Sequence, residues 1–426
     1  MTTPARTFKP KLITSLKEGY GLDALRKDVM AGATVAVVAL PLSMAIAIAC
    51  GLPPETGLIT ASVGGLIVSA TGGSRFQVGG PAGAFIVPVA TTLAQHGLQG
   101  LILATLLSGV FLMLAGALRL GRFIRLIPQA VVLGFSVGIA LIIAISQLHD
   151  VLGLTMQARE PAAFLPKLVA LYGARDTLHT DALVLTVGTI AAIIGLRRLS
   201  PALPAMLLAL IGATLVAVGF HLEVETLGAR FGTLSNHFPA LQWPSLSLAT
   251  IVPILPAALS FTLLGAIESL LSASVADAMT ARQHRPEAEL VAQGLANMGA
   301  ALFGGFCVTG TIARTATNIR AGAHGPVAGI FHALFVLAAF LMAMPLAAYI
   351  PFAALAGVLL VVAFNMVERH GIAAVLRQGP WQSVALVVTL LLVVFVDLIA
   401  GIGTGCLLLG AHHLLQRFKD RRQSRP

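Results

Sequence analysis

Two charged residues stand where charge is expensive. Glu268 lies within Leu264-Gly265-Ala266-Ile267-Glu268-Ser269-Leu270-Leu271-Ser272, and Arg314 follows Gly310-Thr311-Ile312-Ala313. Ionisable groups inside long apolar runs are rare and usually serve function. An apolar setting disfavours the ionised carboxylate, which suits Glu268 to take up and release a proton near neutral pH. Its other reading is a structural acid, hydrogen-bonded to nearby backbone or serine groups. A guanidinium matches the oxygens of a carboxylate or sulfate, so Arg314 suits an anion site; alternatively it ties its helix to a neighbour. Asp397 precedes Gly401-Ile402-Gly403-Thr404-Gly405, and capping that turn is the expected role.

Other chemistries lack their residues. No catalytic triad or phosphate-binding Walker pattern is present, and Gly401-x-Gly403-x-Gly405 does not meet the dinucleotide fingerprint. Cys50, Cys307 and Cys406 are far apart, with neither CxxC spacing nor paired histidines, so they read as small buried apolar residues. His221, His237, His412 and His413 fall at segment boundaries or in loops. An enzyme is not expected, and no cofactor or metal is required. Energy for any transport must come from ion gradients.

The elements that hold Glu268 and Arg314 follow from composition. Of 426 residues, 57% are hydrophobic and 10% charged, against about 25% charged in soluble proteins. A water-facing surface cannot be built from that supply, so lipid is the expected surroundings. A hydrocarbon core about 30 Å thick needs roughly 20 apolar residues per helix. Full spans are expected near 29–50, 56–73, 99–118, 125–149, 182–196 and 202–220, then 251–276, 287–304, 326–348, 351–367, 383–398 and 401–416. Two further apolar pieces, 82–95 and 310–321, are too short to cross. The chain is therefore an all-α polytopic membrane protein of fourteen segments in two halves of seven.

With the N-terminus inside, the basic residues collect in 6–27, 119–125, 197–198, 282–285, 369–377 and 417–425, whereas the other side receives only Arg159, Lys167, Arg175 and Arg230. This asymmetry places both termini in the cytoplasm. It also accounts for the net charge of +10 without a nucleic-acid partner. No cleavable signal peptide is expected, because a polar leader runs into a full-length span.

Each half has its short piece third. The first follows Gly72-Gly73-Ser74-Arg75-Phe76-Gln77-Val78-Gly79-Gly80-Pro81, and the second follows Gly304-Gly305-Phe306-Cys307-Val308-Thr309-Gly310. In both, a glycine pair leads into a short β-prone stretch, a turn of small residues and an apolar half-helix. Paired interruptions in two halves point to an inverted-repeat transporter with its site at the membrane midplane. Half-helices entering from opposite sides bring their N-termini together, and free N–H groups at positive dipole ends favour an anion. Prolines in the opening segment of each half, Pro41 and Pro256, repeat the symmetry.

The stretch Asp28-Val29-Met30-Ala31-Gly32 through Leu40-Pro41, with Gly51-Leu52-Pro53-Pro54-Glu55-Thr56-Gly57, resembles the signature of the SulP anion transporters, the relatives of solute-carrier family 26. Gly79-Gly80-Pro81-Ala82 resembles that family's approach to its third helix, and Ala313-Arg314-Thr315-Ala316-Thr317-Asn318 the start of its tenth. The resemblance implies a homodimer in the bacterial inner membrane. It divides the chain into a leader (1–28), a core domain (29–122 and 251–348), a gate domain (123–250 and 349–416) and a basic tail (417–426). It implies substrate contacts at Leu42 and Ile46, at Ala82, Gly83 and Ala84, and at Gly310, Thr311, Ile312, Ala313 and Arg314, with Glu268 as proton-coupling residue. Leu42 stands where animal members carry Gln, which removes a polar contact from the first segment. Family members continue into a cytoplasmic STAS domain, so an end at Pro426 implies a shortened chain or an unusual member.

Within the family, the motifs around Glu268 and Arg314 are most similar to those of bacterial carriers of C4-dicarboxylates such as fumarate, coupled to protons. A bicarbonate or sulfate carrier, with sodium as an alternative coupling ion, stays open on the same scaffold. A nucleobase carrier shares the architecture but is expected to offer acids from both the eighth and tenth segments, whereas this chain has only Glu268. An anion channel remains the third reading.

Overall fold

A computed structural model describes residues 8–121, 127–156, 161, 164–200, 203–244 and 246–423. Arg6, Arg122, Arg125, Arg159 and Arg425, counted in the charge asymmetry, lie outside them, together with the side chains of 417–423.

The first half contains α1 (Leu22–Ala49) and α2, which runs as Pro54–Ile59, a π turn at Thr60–Gly64 and Gly65–Thr71. After β1 (Gly79–Gly80) and a 3-10 turn at Gly83–Phe85, a helical run over Ile86–Ala117 is broken at Gly97, where φ is +68°. That break separates α3 (83–96) from α4 (98–117). The half closes with α5 (Gln129–Ser146), α6 (Thr180–Leu199) and α7 (Ala205–Gly219). The second half contains α8 (Leu248–Thr280), α9 (Pro286–Leu302), β2 (Thr309–Gly310), α10 (Ile312–Arg320) and α11 (Val327–Ala347). It ends with α12 (Phe352–Met366), α13 (Pro380–Phe395) and α14 (Leu398–Gln423). Each expected segment has its helix, and the interrupted element is third in both halves. At 1.5 Å per residue, the nine residues of α10 extend about 14 Å and cannot cross a bilayer.

Local sequence sets the helix ends. The Ser247 hydroxyl accepts from Thr250 N–H while the Thr250 hydroxyl accepts from Ser247 N–H, a reciprocal cap that starts α8. Asp397 Oδ1 accepts from Ala400 N at 2.8 Å and caps α14. Pro286 opens α9, and Glu287 and Glu289 sit in its first turn, where the helix dipole favours negative charge.

In one group of helices, α9 and α8 pack on the 86–117 run and α11 on α1; in another, α13 packs on α5 and α14, and α6 on α7 and α12. Small residues allow the closest approaches. A Cβ on Gly294 would lie 2.5 Å from Gly109 O, and one on Gly109 2.7 Å from Gly294 O, so α4 and α9 meet backbone to backbone. The outward faces are apolar: Leu199, Met342 and Leu215 are 80%, 83% and 67% exposed, which suits lipid rather than water.

Asp397 is exposed rather than buried, whereas Asp28, Arg75 and Glu289 join Arg314 among the sequestered charges. Each has partners that made it inconspicuous in sequence. Asp28 accepts from His324 N, Gly325 N and the Tyr20 hydroxyl at 2.6, 3.0 and 2.7 Å. Burial, and then that bond to Asp28, raise the pKa of the Tyr20 hydroxyl above its ordinary value. Arg75 pairs with Glu18, and this hydrogen bond holds the Glu18 carboxyl below the usual carboxylate range.

Replacing Gly294 with Val must push α4 and α9 apart. Gly294→Val is expected to destabilise the fold by about 1–3 kcal/mol, read as a lower melting temperature in detergent. An unchanged melting temperature would contradict the backbone contact.

Candidate functional site at the half-helix crossing

The site begins with two peptide segments that could not lie in lipid unaided. β1 and β2 pair antiparallel, with Gly79 opposite Gly310 and Gly80 opposite Thr309. This pairing fixes the starts of α3 and α10 beside each other. Their N-cap residues, Ala82 and Thr311, are extended, and neither makes a side-chain capping bond. No side chain of the N-cap residue therefore occupies the amides of either first turn, the condition for an anion site at helix N-termini.

Arg314 comes from α10 and is fully buried. Its Nη2 donates to Pro81 O at 2.8 Å and to the Ser43 hydroxyl of α1 at 3.3 Å, so it ties α10 to the lead-in of α3. Nε and Nη1 make no hydrogen bond. The guanidinium lies directly over Gly80, where a Cβ would come within 2.5 Å of Nη1 and φ is +159°; both conditions require glycine.

Glu268 projects from α8 with a buried, unpartnered Oε2. Among the described residues, no ion pair joins it to Arg314. One turn earlier, Gly265 O accepts from the hydroxyls of Ser269 and Thr309 at 2.6 and 3.3 Å. Ser272 donates to the Thr315 hydroxyl of α10 at 3.1 Å, so α8 is fastened to the same crossing. A cation with two idle donors and an acid with an idle oxygen thus face a region held by α1, α3, α8 and α10.

The crossing brings together Ala82, Gly83 and Ala84 with Gly310, Thr311 and Arg314. Leu42, Ile46, Ala82 and Ala84 are buried in one apolar cluster with Leu264 and Ile267. Gly83 faces the other group of helices: a Cβ there would lie 3.3 Å from Ile143 of α5 and 3.6 Å from Met366 of α12. Ile312 and Ala313 differ from Arg314 in that their side chains are exposed at the first turn of α10, whereas Arg314 and Thr315 are buried. Among the described residues, no cluster of His, Cys, Asp or Glu could hold a metal.

The residues that support the crossing escaped sequence reasoning. Glu289 Oε2 accepts from Gly73 N and Ser74 N at 2.9 and 3.0 Å, and its Oε1 accepts from Gln293 Nε2 at 2.9 Å. Asn297 donates to Val308 O at 2.9 Å and accepts from Val308 N at 3.0 Å. Asn318 donates to Phe76 O at 2.9 Å, and the Thr60 hydroxyl accepts from Phe306 N at 3.1 Å. The signal was present: Glu289, Gln293 and Asn297 recur every four residues, which puts three polar groups on one face of α9. Two further buried side chains were also passed over. Gln77 occupies the space beside Gly310, and His332 on α11 has both ring nitrogens without a partner.

Discontinuous helices meeting in a bundle of spans are the architecture of multi-pass membrane transporters. The model of the sulfate permease family matches residues 25–389, and the chain belongs to that family of anion transporters. YvdB of Bacillus subtilis (strain 168), named as a sulfate transporter, is 42% identical over 92% of this chain and 74% of its own length. The bicarbonate transporter BicA of Picosynechococcus sp. (strain ATCC 27264 / PCC 7002 / PR-6) is 31% identical over 89% of this chain and 69% of its own. Among solved structures, the transmembrane domain of a cyanobacterial BicA superposes with a TM-score of 0.81 at 29% identity, covering 90% of this chain and 98% of that one. SLC26A9 shares the fold, with a TM-score of 0.85 at 17% identity over 95% of this chain and 68% of that one.

A Cβ on Gly310 would sit 1.6 Å from Gln77 Nε2. Gly310→Ala is expected to destabilise the protein and weaken anion binding, and adding Gln77→Ala to recover much of the stability. A double-mutant cycle of melting temperatures checks this; strictly additive losses would show that the crowding is not the cause.

Proposed function

We propose that the chain carries a small carboxylate-bearing anion across the membrane by alternating access. The anion rests against the first-turn amides of α3 and α10 and the idle donors of Arg314. The carrying observation is the β1–β2 pairing, which sets both uncapped helix starts and the Arg314 guanidinium at one place. Helices α1–α4 and α8–α11 form the moving core, and α5–α7 with α12–α14 form the gate. Ile143 and Met366 supply the apolar wall that the site slides past. The charge asymmetry supports cytoplasmic termini in a bacterial inner membrane, and the resemblance supports a homodimer.

Glu268 is the proton-coupling residue in this reading. A proton on its carboxyl removes a negative charge near the site, so proton and anion bind together and leave together. C4-dicarboxylates such as fumarate are the first substrates proposed, from the motifs around Glu268 and Arg314. Bicarbonate or sulfate is the second reading, favoured by relatives that carry those names, with sodium as the alternative coupling ion.

In proteoliposomes, labelled fumarate is expected to accumulate when the outside is made acidic, with unlabelled sulfate and bicarbonate as competitors. Glu268→Gln should flatten the pH dependence while binding persists. Uptake driven by sodium and indifferent to the proton gradient would overturn the coupling, and strong competition by bicarbonate without fumarate uptake would select the second substrate class. Arg314→Gln should weaken anion binding by on the order of ten- to a hundredfold, from the loss of charge-assisted bonds worth about 1.5–3 kcal/mol; unchanged binding would remove Arg314 from the site.

A further inference from the structure

Ahead of α1, the short helix Lys11–Lys17 is docked with its polarity reversed. Its polar side faces protein. Ser15 is fully buried against the turn before α11, where a Cβ on Gly325 would lie 2.6 Å from its hydroxyl. Arg285 donates to Lys9 O and to the Thr14 hydroxyl at 2.6 and 3.1 Å, and Lys11 N donates to Gly72 O at 2.9 Å. Its apolar side faces away: Phe8, Ile13 and Leu16 are 41%, 41% and 49% exposed. A helix on a water-facing surface has the opposite arrangement.

Position and charge identify what covers that face. α1 starts at Leu22, itself 85% exposed, a few residues after the short helix ends. The short helix therefore lies on the side of the membrane from which α1 enters, next to the charged turns at 23–28 that precede its apolar run. Lys9, Lys17 and Arg26 flank it, while the nearby acids are engaged, Glu18 by Arg75 and Asp23 by Lys27. An outward apolar stripe with surplus cations at the membrane boundary matches the physics of interfacial helices on acidic lipid.

We propose that residues 8–17 form an interfacial anchor. Phe8, Ile13 and Leu16 enter the acyl boundary of the leaflet where α1 begins, and Lys9 and Lys17 meet acidic phospholipid headgroups. The hydrogen bonds of the anchor go to Gly72 and Arg285, at the end of α2 and the start of α9, and Ser15 packs on Gly325 ahead of α11. It is thus bonded to α9, whose Glu289 holds the chain at Gly73 and Ser74 that leads to β1.

The test uses the full chain in vesicles, with Cys406→Ser as background and single spin labels at Ile13→Cys, Leu16→Cys and Gly21→Cys, the last at a position where a side chain meets open space. Labels at 13 and 16 are expected to collide mainly with oxygen, and the label at 21 mainly with an aqueous nickel chelate. The oxygen-to-nickel ratio at 13 and 16 should rise severalfold when phosphatidylglycerol is added to phosphatidylcholine. Equal nickel access at all three positions would overturn the anchor, as would exclusion of both reagents from 13 and 16, which would mean that protein covers the face. A ratio indifferent to phosphatidylglycerol would overturn the acidic-lipid assignment. Hydrogen exchange on the unlabelled chain guards against label damage: amides of 11–17 should slow with phosphatidylglycerol, and no slowing counts against the anchor. None of these readouts depends on which anion is transported.

Discussion

Unpaired peptide groups cannot be left in hydrocarbon, and the architecture is organised around that constraint. Residues 72–82 and 304–311 are non-helical between buried helices. Each is part of the other's solution: β1 closes on β2, and further amides and carbonyls are taken up by Glu289, Asn297, Asn318, Thr60 and Arg314. The irregularity that would be costly in a single helix becomes tolerable when two copies meet. This is why the interruption recurs at the third position of each half.

Glycine gives that solution its geometry. Gly80 admits the Arg314 guanidinium, Gly310 admits the Gln77 amide, and the Gly109–Gly294 contact draws α4 against α9. The last contact matters to the site because α9 carries the Glu289, Gln293 and Asn297 stripe. Close packing at the middle of α9 therefore fixes the helix that presents Glu289, Gln293 and Asn297 to the loops that need them.

The fold was legible because lipid imposes a simple pattern, long apolar runs bounded by charge, glycine and proline. The half-helices were legible as well, since each short run followed a glycine pair at the same ordinal place. Glu268 and Arg314 stood out by their charge. The polar support did not, because Gln293 and Asn297 carry none and Glu289 lies near the start of a run that reads as an ordinary span. Periodicity alone places those three on a common face, but not which loops that face meets. Ile312 and Ala313 illustrate the converse: a motif marks the turn, but not which of its side chains are exposed and which, like Arg314, are buried.

The bond from Arg314 to Pro81 O has a mechanical consequence. It crosses from one repeat to the other, so the tips of α3 and α10 are coupled by a side chain as well as by paired main chain. In the alternating-access reading proposed above, a guest held between them would ride inside a rigid clasp whose internal distances stay constant through the journey. On that reading, any difference in grip between the two faces of the membrane would arise from the wall that the clasp passes, and from the water it meets on arrival.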